Sequence, residues 1–522
     1  MAELGGNPPN SIVPGPYVAS TASVPPLGPQ PAGQGGYASD SGAYANIKKR
    51  PIVVPGLKNV QQVMAAPPTV AISLTNPIPS GQLYTATNQN TGSLSAPFNT
   101  ANFTITRAGN PTVGGTTFPN FDYLAFNSVF NGGANVVGLS VIFSGTVLVL
   151  ELKDLNTSIM IKVNDQYTSL TPTATGSSGS ATFLSVTFSA AVTAVRIDFF
   201  ASDILGSFSF RGMFTGSLTD TLEPAEIRGP RVIVLGDSVT AATGATHQTL
   251  GFVGVFAEYM GWDDVWPSGI GGTGMISTNG ISNYIGRLAT DVFPFYPDEV
   301  IIAGWYNDNA STMLAIRAAA SALIAAIRQN LPTCRITFFG PYTPYGSGYQ
   351  YGTNAATGVG FVATRTGVGQ AIAAANDPLV RWIDPSTFPL NQMSSIPLSA
   401  QQLANNTTTL SASVAANATA IHTVIPLLTG CQYQFADGSR CRVLSIAGTI
   451  ATVDQVINAQ ANGATIALVG NCWISGKGFQ GNTTGVGNAD NFIFTDDVHP
   501  VNLGHLHLGI CLAQQYVANL NT

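Results

Sequence analysis

A serine placed directly after a run of apolar residues is the first group in this chain suited to chemistry. Val232, Ile233, Val234 and Leu235 precede Gly236, Asp237 and Ser238. Four consecutive apolar residues suit a parallel strand buried on both faces. A residue just past such a strand lies at the carboxyl edge of the sheet, where α/β proteins bind ligands. A helix following the serine would aim its first N–H groups at negative charge forming on a substrate. The plainer reading is that Asp237 or Ser238 caps that helix, and the motif alone does not separate the two.

A second cluster lies almost at the other end, at Asp496, Asp497, Val498, His499 and Pro500. Serine is a weak nucleophile until a base takes its proton, and histidine has the pKa for that near neutrality. A carboxylate beside the imidazole fixes its tautomer and stabilises the imidazolium formed during attack. Of the five histidines, His247 and His422 have no carboxylate within three residues, and His505 and His507 fall in an expected last helix. His499, paired with Asp496 or Asp497, is the base that could serve Ser238. Two further segments offer donors for an oxyanion. Gly269, Gly271, Gly272 and Gly274 follow a strand and would bring backbone N–H groups close to a bound oxygen. Gly304 to Asp308 ends another buried strand and carries the amide of Asn307.

These segments sit in a strand–helix alternation that starts near Arg228. Strands are expected at 232–235, 299–303, 335–339 and 380–383, and helices near 361–376 and 501–518. Met313, Ile316, Ala320, Leu323, Ile324 and Ile327 form a helical stripe that stops at Pro332. The alternation predicts an α/β fold with a parallel sheet and helices on both faces. Residues 385–490 read as an insertion into it. Residues 385–436 contain no Asp, Glu, Lys or Arg, and Leu403, Leu410, Val414, Ile421 and Val424 follow a loose heptad with Thr407 and Asn417 in its seam. That spacing allows either self-association or a helix or loop packed on its own domain. Beyond it, 432–435 and 442–446 flank Asp437 and Gly438 as a hairpin.

Ahead of this, residues 68–222 read as β, with alternation at 183–188 and 195–199 and further strands at 141–143, 147–152 and 159–163. Short, regularly spaced strands suggest a β-sandwich of jelly-roll type, serving as a spacer or as a glycan-binding module. Residues 1–67 are a Pro/Gly-rich arm; ten prolines fall in the first 60 residues, so no core of its own is expected there. It is either a flexible tail or an arm that orders on docking to a larger assembly.

The four chemical segments resemble those of the SGNH (GDSL-type) hydrolases over residues 228–522, apart from the insertion. The resemblance implies a flavodoxin-like fold, Ser238 as nucleophile, His499 as base and Asp496 as its partner. It assigns the oxyanion donors to the Ser238 and Gly272 N–H groups and the Asn307 side chain, without a metal or other cofactor. One departure is that two residues, Trp305 and Tyr306, separate Gly304 from Asn307, where the family pattern has one. A β-sandwich ahead of such a domain is similar to carbohydrate esterases. The Pro/Gly-rich arm, the low charge and the Thr/Asn/Gly-rich insertion resemble bacteriophage tail-fibre or tailspike proteins, which implies a virion location, a homotrimer and an acetylated surface polysaccharide as substrate.

Composition narrows the classes. Charged residues are 9% of the 522, against about 25% in typical soluble proteins, so Ser, Thr, Asn and Gln must solvate the surface. With a net charge of −6 and 20 scattered basic residues, binding to nucleic acid through phosphates is not expected. Mean hydropathy is +0.23, but the most apolar window, 136–152, is broken by Gly and Ser and falls short of the ~20 residues a membrane helix needs. The first residues lack the basic and apolar regions of a signal peptide. Five cysteines without a C-x-x-C pair argue against a disulfide framework or zinc site. The expectation is a serine esterase that deacetylates a polysaccharide. A lipase or thioesterase with the same residues, a non-catalytic virion or glycan-binding protein, and a glycoside hydrolase or lyase, for which no paired-carboxylate signature stands out, are the alternatives.

Overall fold

The computed structural model describes residues 59–85, 135–341 apart from 154 and 204–206, 361–383, 407–471 apart from short breaks, 492–520 apart from 497, and brief segments between them. Most of the expected arm, residues 1–58, lies outside the described residues, as does Asp497.

The parallel sheet has five strands: β1 (Val232–Gly236), β2 (Val265–Gly269), β3 (Glu299–Ala303), β4 (Arg335–Phe339) and β5 (Val380–Ile383). Their spatial order is β2-β1-β3-β4-β5, all parallel. This is the flavodoxin-like order, whose reversal between β1 and β3 opens a crevice at the carboxyl ends of those two strands. Side chains of β1 alternate between two cores. Val232 and Val234 face helices α1 (Phe252–Met260) and α5 (Asn502–Leu520), meeting Phe252, Phe256, Leu508 and Leu512. Ile233 and Leu235 face α2 (Tyr284–Asp291), α3 (Met313–Asn330) and α4 (Phe361–Ala375), meeting Leu288, Ile316, Leu323 and Val368. Each such buried aliphatic side chain contributes about 1.5–3 kcal/mol, so the central strand is fixed from both sides. Of the expected stripe on α3, Ile316, Ala320, Leu323, Ile324 and Ile327 are buried and Met313 is only partly so, and Thr312 caps this helix by accepting from Ala315 N–H. Helices α1 and α2, which bring Phe252 and Arg287 into place, are additions to the elements expected from sequence.

The described strands between Thr69 and Pro224 form an antiparallel sheet built around two long ones, Asn135–Lys153 and Ala181–Asp203. The strands expected at 141–143 and 147–152 are parts of the first, and those at 183–188 and 195–199 are parts of the second. The strands continue where turns were expected: Gly145 takes a φ of +153° within the first, and the register shifts between Thr187, Val192 and Val195 of the second. The sheet's core includes Val141, Phe143, Leu150, Leu184 and Ile197.

This β region is tied to the α/β domain through polar contacts. Arg228 bridges Asp165 and Asp263. Glu258 on α1 pairs with Lys162 at 3.2 Å and accepts from Tyr167. His247 Nε2 donates to the Ser158 carbonyl at 3.1 Å.

The insertion is a third, separate β module. Strands 407–409, 420–422, 432–435, 440–447, 450–453 and 465–471 surround a core that includes Leu410, Val414, Ile421, Tyr433, Val443 and Ile466. This overturns the heptad reading. Leu410, Val414 and Ile421 point into the module's own core, and Val424 is 60% exposed. A helix through here is precluded because Thr407–Thr409 is extended and Asn417 adopts a left-handed φ of +63°; Leu403 lies outside the described residues. The expected hairpin around Asp437 is present, with Gln432 opposite Arg442. The module's entry and exit meet, Phe388 pairing with Asn471 and Pro389 with Gly470. Among the described residues, no helix is long and apolar enough to cross a membrane.

Candidate active site

Ser238 and His499 come together at the carboxyl end of β1. His499 Nε2 lies 2.7 Å from Ser238 Oγ, and His499 Nδ1 lies 2.6 Å from Asp496 Oδ2. Asp496 Oδ1 accepts from the Val498 and His499 N–H groups, both at 3.0 Å. An aspartate that accepts from backbone two and three residues ahead closes a tight turn, which is why the Asp-x-x-His spacing can deliver both carboxylate and imidazole from one loop. Partial burial raises the Asp496 pKa, but the N–H and imidazole donors outweigh it, and the carboxyl is held below its usual range. The loop is closed at its base, where Phe494 N–H donates to the His499 carbonyl at 2.7 Å and Val501 N–H to that of Phe492 at 2.8 Å.

The segment after Ser238 departs from expectation. No helix starts there; residues 238–245 make successive turns, with Ala241 N–H on the Asp237 carbonyl and Thr243 N–H on that of Ser238, both at 3.0 Å. The helix comes only at Phe252. The helix-dipole and helix-cap readings of this motif both fail for that reason. Asp237 accepts from Val239 N–H at 3.0 Å, a cap-like bond made to the first of these turns rather than to a helix, and is fully buried. Burial pushes its carboxyl up to about 6, against the pull of that N–H and of nearby His499.

The glycine-rich segment runs beside the serine. Ile270 N–H donates to the Gly236 carbonyl at 3.1 Å, and a Cβ on Gly271 would lie 3.7 Å from that of Ser238. Gly272 has φ of +74°, and a side chain there would strike Asn279. Among the described residues, neither the Ser238 nor the Gly272 backbone N–H meets an acceptor.

Asn307 reaches the same loop, its Nδ2 donating to the Thr273 carbonyl at 2.9 Å. The two residues between Gly304 and Asn307 are absorbed by a left-handed Trp305, φ +70°, whose ring is buried against Phe338, followed by a 3-10 turn, Tyr306–Asp308. The structure thus gathers Ser238, His499, Asp496, Gly272 and Asn307 around one sheet edge.

Two charged residues that the sequence reading left aside also belong here. Arg287 donates to the Gly236 carbonyl, the Ser268 carbonyl and Thr273 Oγ1 at 2.8, 2.7 and 3.2 Å, and pairs with Asp291. Its i,i+4 spacing from Asp291 was visible in the sequence, but such pairs are commonly surface pairs, and this one is 2% exposed on both sides. Asp308 accepts from the N–H groups of Met275, Ile276 and Ser277 at 2.7, 3.2 and 2.9 Å. Its place directly after Asn307 was the available signal. The remaining histidines are structural in their contacts. His505 accepts from Phe252 N–H and is lowered by burial to about 4. His507 stacks on Phe492. Among the described residues, no group of three His, Cys, Asp or Glu side chains could hold a metal ion.

No family model matches this chain, and no curated protein matches it. Solved structures do resemble it. A family two carbohydrate esterase from Cellvibrio japonicus is 15% identical with a TM-score of 0.42, covering 60% of this chain and 88% of its own. A family two carbohydrate esterase from Clostridium thermocellum, in complex with cellohexaose, is 16% identical with a TM-score of 0.40, covering 53% and 87%. An acetyl xylan esterase, Est2A, from the rumen bacterium Butyrivibrio proteoclasticus is 13% identical with a TM-score of 0.38, covering 58% and 89%.

Proposed function

We propose that this protein is a serine esterase that removes acetyl groups from a polysaccharide. The observation that carries the reading is the continuous chain from Ser238 Oγ through the His499 ring to Asp496, with links of 2.7 and 2.6 Å. Ser238 Oγ attacks the ester carbonyl carbon while His499 Nε2 takes its proton, and Asp496 holds the ring and stabilises the imidazolium. The oxyanion accepts from the Ser238 and Gly272 N–H groups and from the second amide hydrogen of Asn307, its first being used on Thr273. Collapse of the tetrahedral intermediate breaks the bond to the sugar oxygen, which takes the proton from His499. Water then attacks the acetyl-serine by the same route, releasing acetate and restoring Ser238.

The substrate part of the reading rests on the sequence. A β region precedes the SGNH-like segment, and the surface is solvated by uncharged polar residues rather than by charge, as suits contact with hydroxyl-rich glycan.

The test is acetate release from an acetylated bacterial surface polysaccharide by wild type, Ser238→Ala and His499→Ala. Release by wild type that is lost in both variants is the expected result. Cleavage of p-nitrophenyl acetate through Ser238 without release from the glycan would keep the esterase and discard the substrate. Preference for long acyl chains would make it a lipase or thioesterase. Silence on all substrates would overturn the catalytic reading.

A further inference from the structure

The 270–277 loop has no regular secondary structure, yet the oxyanion donors assigned above require it to stay within a fraction of an ångström of Asn307. A displacement of about 1 Å at such a site can cost on the order of 10²-fold in rate. The structure contains a dedicated tie at this point. Asp308 Oδ2 accepts from Met275 N–H at 2.7 Å, and Oδ1 accepts from Ile276 N–H at 3.2 Å and Ser277 N–H at 2.9 Å. Three successive N–H groups turned onto one carboxylate form an anion nest of the kind backbone turns build for charged ligands, here filled by the protein's own side chain. Gly274 is what lets the carboxylate in, since a Cβ there would lie 2.4 Å from Asp308 Oδ1.

The tie is reciprocal. Ser277 Oγ donates to the Asn307 carbonyl at 2.7 Å, and Asn307 Nδ2 donates to the Thr273 carbonyl at 2.9 Å. Arg287 also holds this loop, through Thr273 Oγ1, as well as the Gly236 carbonyl two residues before the nucleophile.

We propose that Asp308 is a positioning residue of this site: its carboxylate, seated on the Met275–Ser277 N–H groups, fixes the loop so that the Gly272 N–H and the Asn307 amide act on one oxygen. This rests on the serine-esterase reading above. Asp308 touches no reacting atom; it acts through the loop. Its removal therefore weakens the transition state more than the bound substrate. In the Asp308→Asn variant the shape is kept, but an NH2 group faces one of the N–H donors, and at least one tie is lost.

The experiment measures kcat and KM for p-nitrophenyl acetate and the affinity for phenylboronic acid, which becomes a tetrahedral adduct on the serine. Wild type, Asp308→Asn, Ser277→Ala and Ser238→Ala are compared, with thermal melting of each. Asp308→Asn is expected to lower kcat by about 10- to 100-fold and boronate affinity by a similar factor, with KM within about twofold. Ser277→Ala, which removes the bond to the Asn307 carbonyl and the hydroxyl's contact with Asp308 but keeps the backbone N–H ties, should move both in the same direction by roughly threefold. A folded Asp308→Asn protein with wild-type kcat and boronate affinity overturns the proposal, as does a kcat loss unaccompanied by a boronate loss. If Asp308→Asn does not fold, the same two readings on Ser277→Ala decide. Failure of the esterase reading looks different: wild type inactive on p-nitrophenyl acetate, or Ser238→Ala equally active, removes that reading and this proposal with it.

Discussion

Gly304 and Asp237 are in contact that no other residue at position 304 would allow. A Cβ on Gly304 would lie 2.3 Å from Asp237 Oδ2, and Gly304 has φ of +99°. The glycine that ends β3 is therefore shaped around the residue before the nucleophile. Gly304→Ala should cost about 1–3 kcal/mol from backbone strain and more from the clash, and it should lower esterase turnover by shifting Asp237 and Ser238. Urea unfolding and p-nitrophenyl acetate kinetics check both; wild-type values in each would show that the contact is dispensable.

The raised Asp237 carboxyl gives stability a defined pH dependence. With its pKa pushed up to about 6 in the folded protein by burial, and an ordinary value of 3.8 in the unfolded chain, the folded state holds a proton that the unfolded state has released between those limits. Stability from this group is therefore lost as pH rises through about 4 to 6. At roughly 1.4 kcal/mol per unit, the loss reaches on the order of 3 kcal/mol by pH 7. Asp237→Asn lacks this titration, so its stability relative to wild type should improve from pH 4 to pH 7 in urea unfolding. A difference that does not vary with pH would contradict the raised pKa.

Asp496→Asn should lower kcat by about 10²–10⁴-fold, because the amide can hold His499 in the wrong tautomer and no longer stabilises the imidazolium. Asp497→Asn should stay within about threefold of wild type, since the 2.6 Å bond to His499 Nδ1 comes from Asp496. Steady-state kinetics of the pair of variants separate the two carboxylates, and the reverse ranking would reassign the partner.

Asn307→Ala should lose roughly 10²–10³-fold in turnover while melting within a few degrees of wild type, because Asn307 is half-buried and its lost bond is a single one, to Thr273. Full turnover in that variant would remove Asn307 from the oxyanion site.

The inserted module can be tested against the helical seam by two substitutions three residues apart. Ile421→Ala, in the module's core, should cost about 2–5 kcal/mol. Val424→Ala, 60% exposed, should fall within about 0.5 kcal/mol of wild type. Equal large losses at both positions would restore the seam.

The legible parts of this chain were those where one periodicity or one short motif dominates. β1 reads from four apolar residues, α3 from its stripe and Pro332, and the Asp496–His499 turn from a spacing that local hydrogen bonding enforces. Tertiary constraints hid the rest. The positive φ at Gly145 and the register shifts after Thr187 carry single strands through positions where turn signals seemed to separate them. In the insertion, the intervals between Leu410, Val414 and Ile421 fit a helix by coincidence, because module residues that close one small β core need no fixed period. The segment after Ser238 looked like a helix start because Asp237 is a good cap, and its side chain does take the Val239 N–H as a cap would, but the turns that follow do not continue into a helix. Arg287 and Asp308 were missed because charge is ordinarily a mark of surface, and nothing local reveals that five backbone groups converge on them.

Ser238 and His499 are separated by 261 positions along the chain, and the module between β5 and the His499 loop accounts for much of that distance. Since Phe388 pairs with Asn471, the path through the module leaves it next to where it entered. To the sheet, the whole insert is equivalent to one short connection, and closure entropy grows only slowly with loop length in any case. The junction is thus a socket: what is plugged in can be enlarged, trimmed or exchanged for another self-contained unit, while the base still arrives at the same place beside the nucleophile.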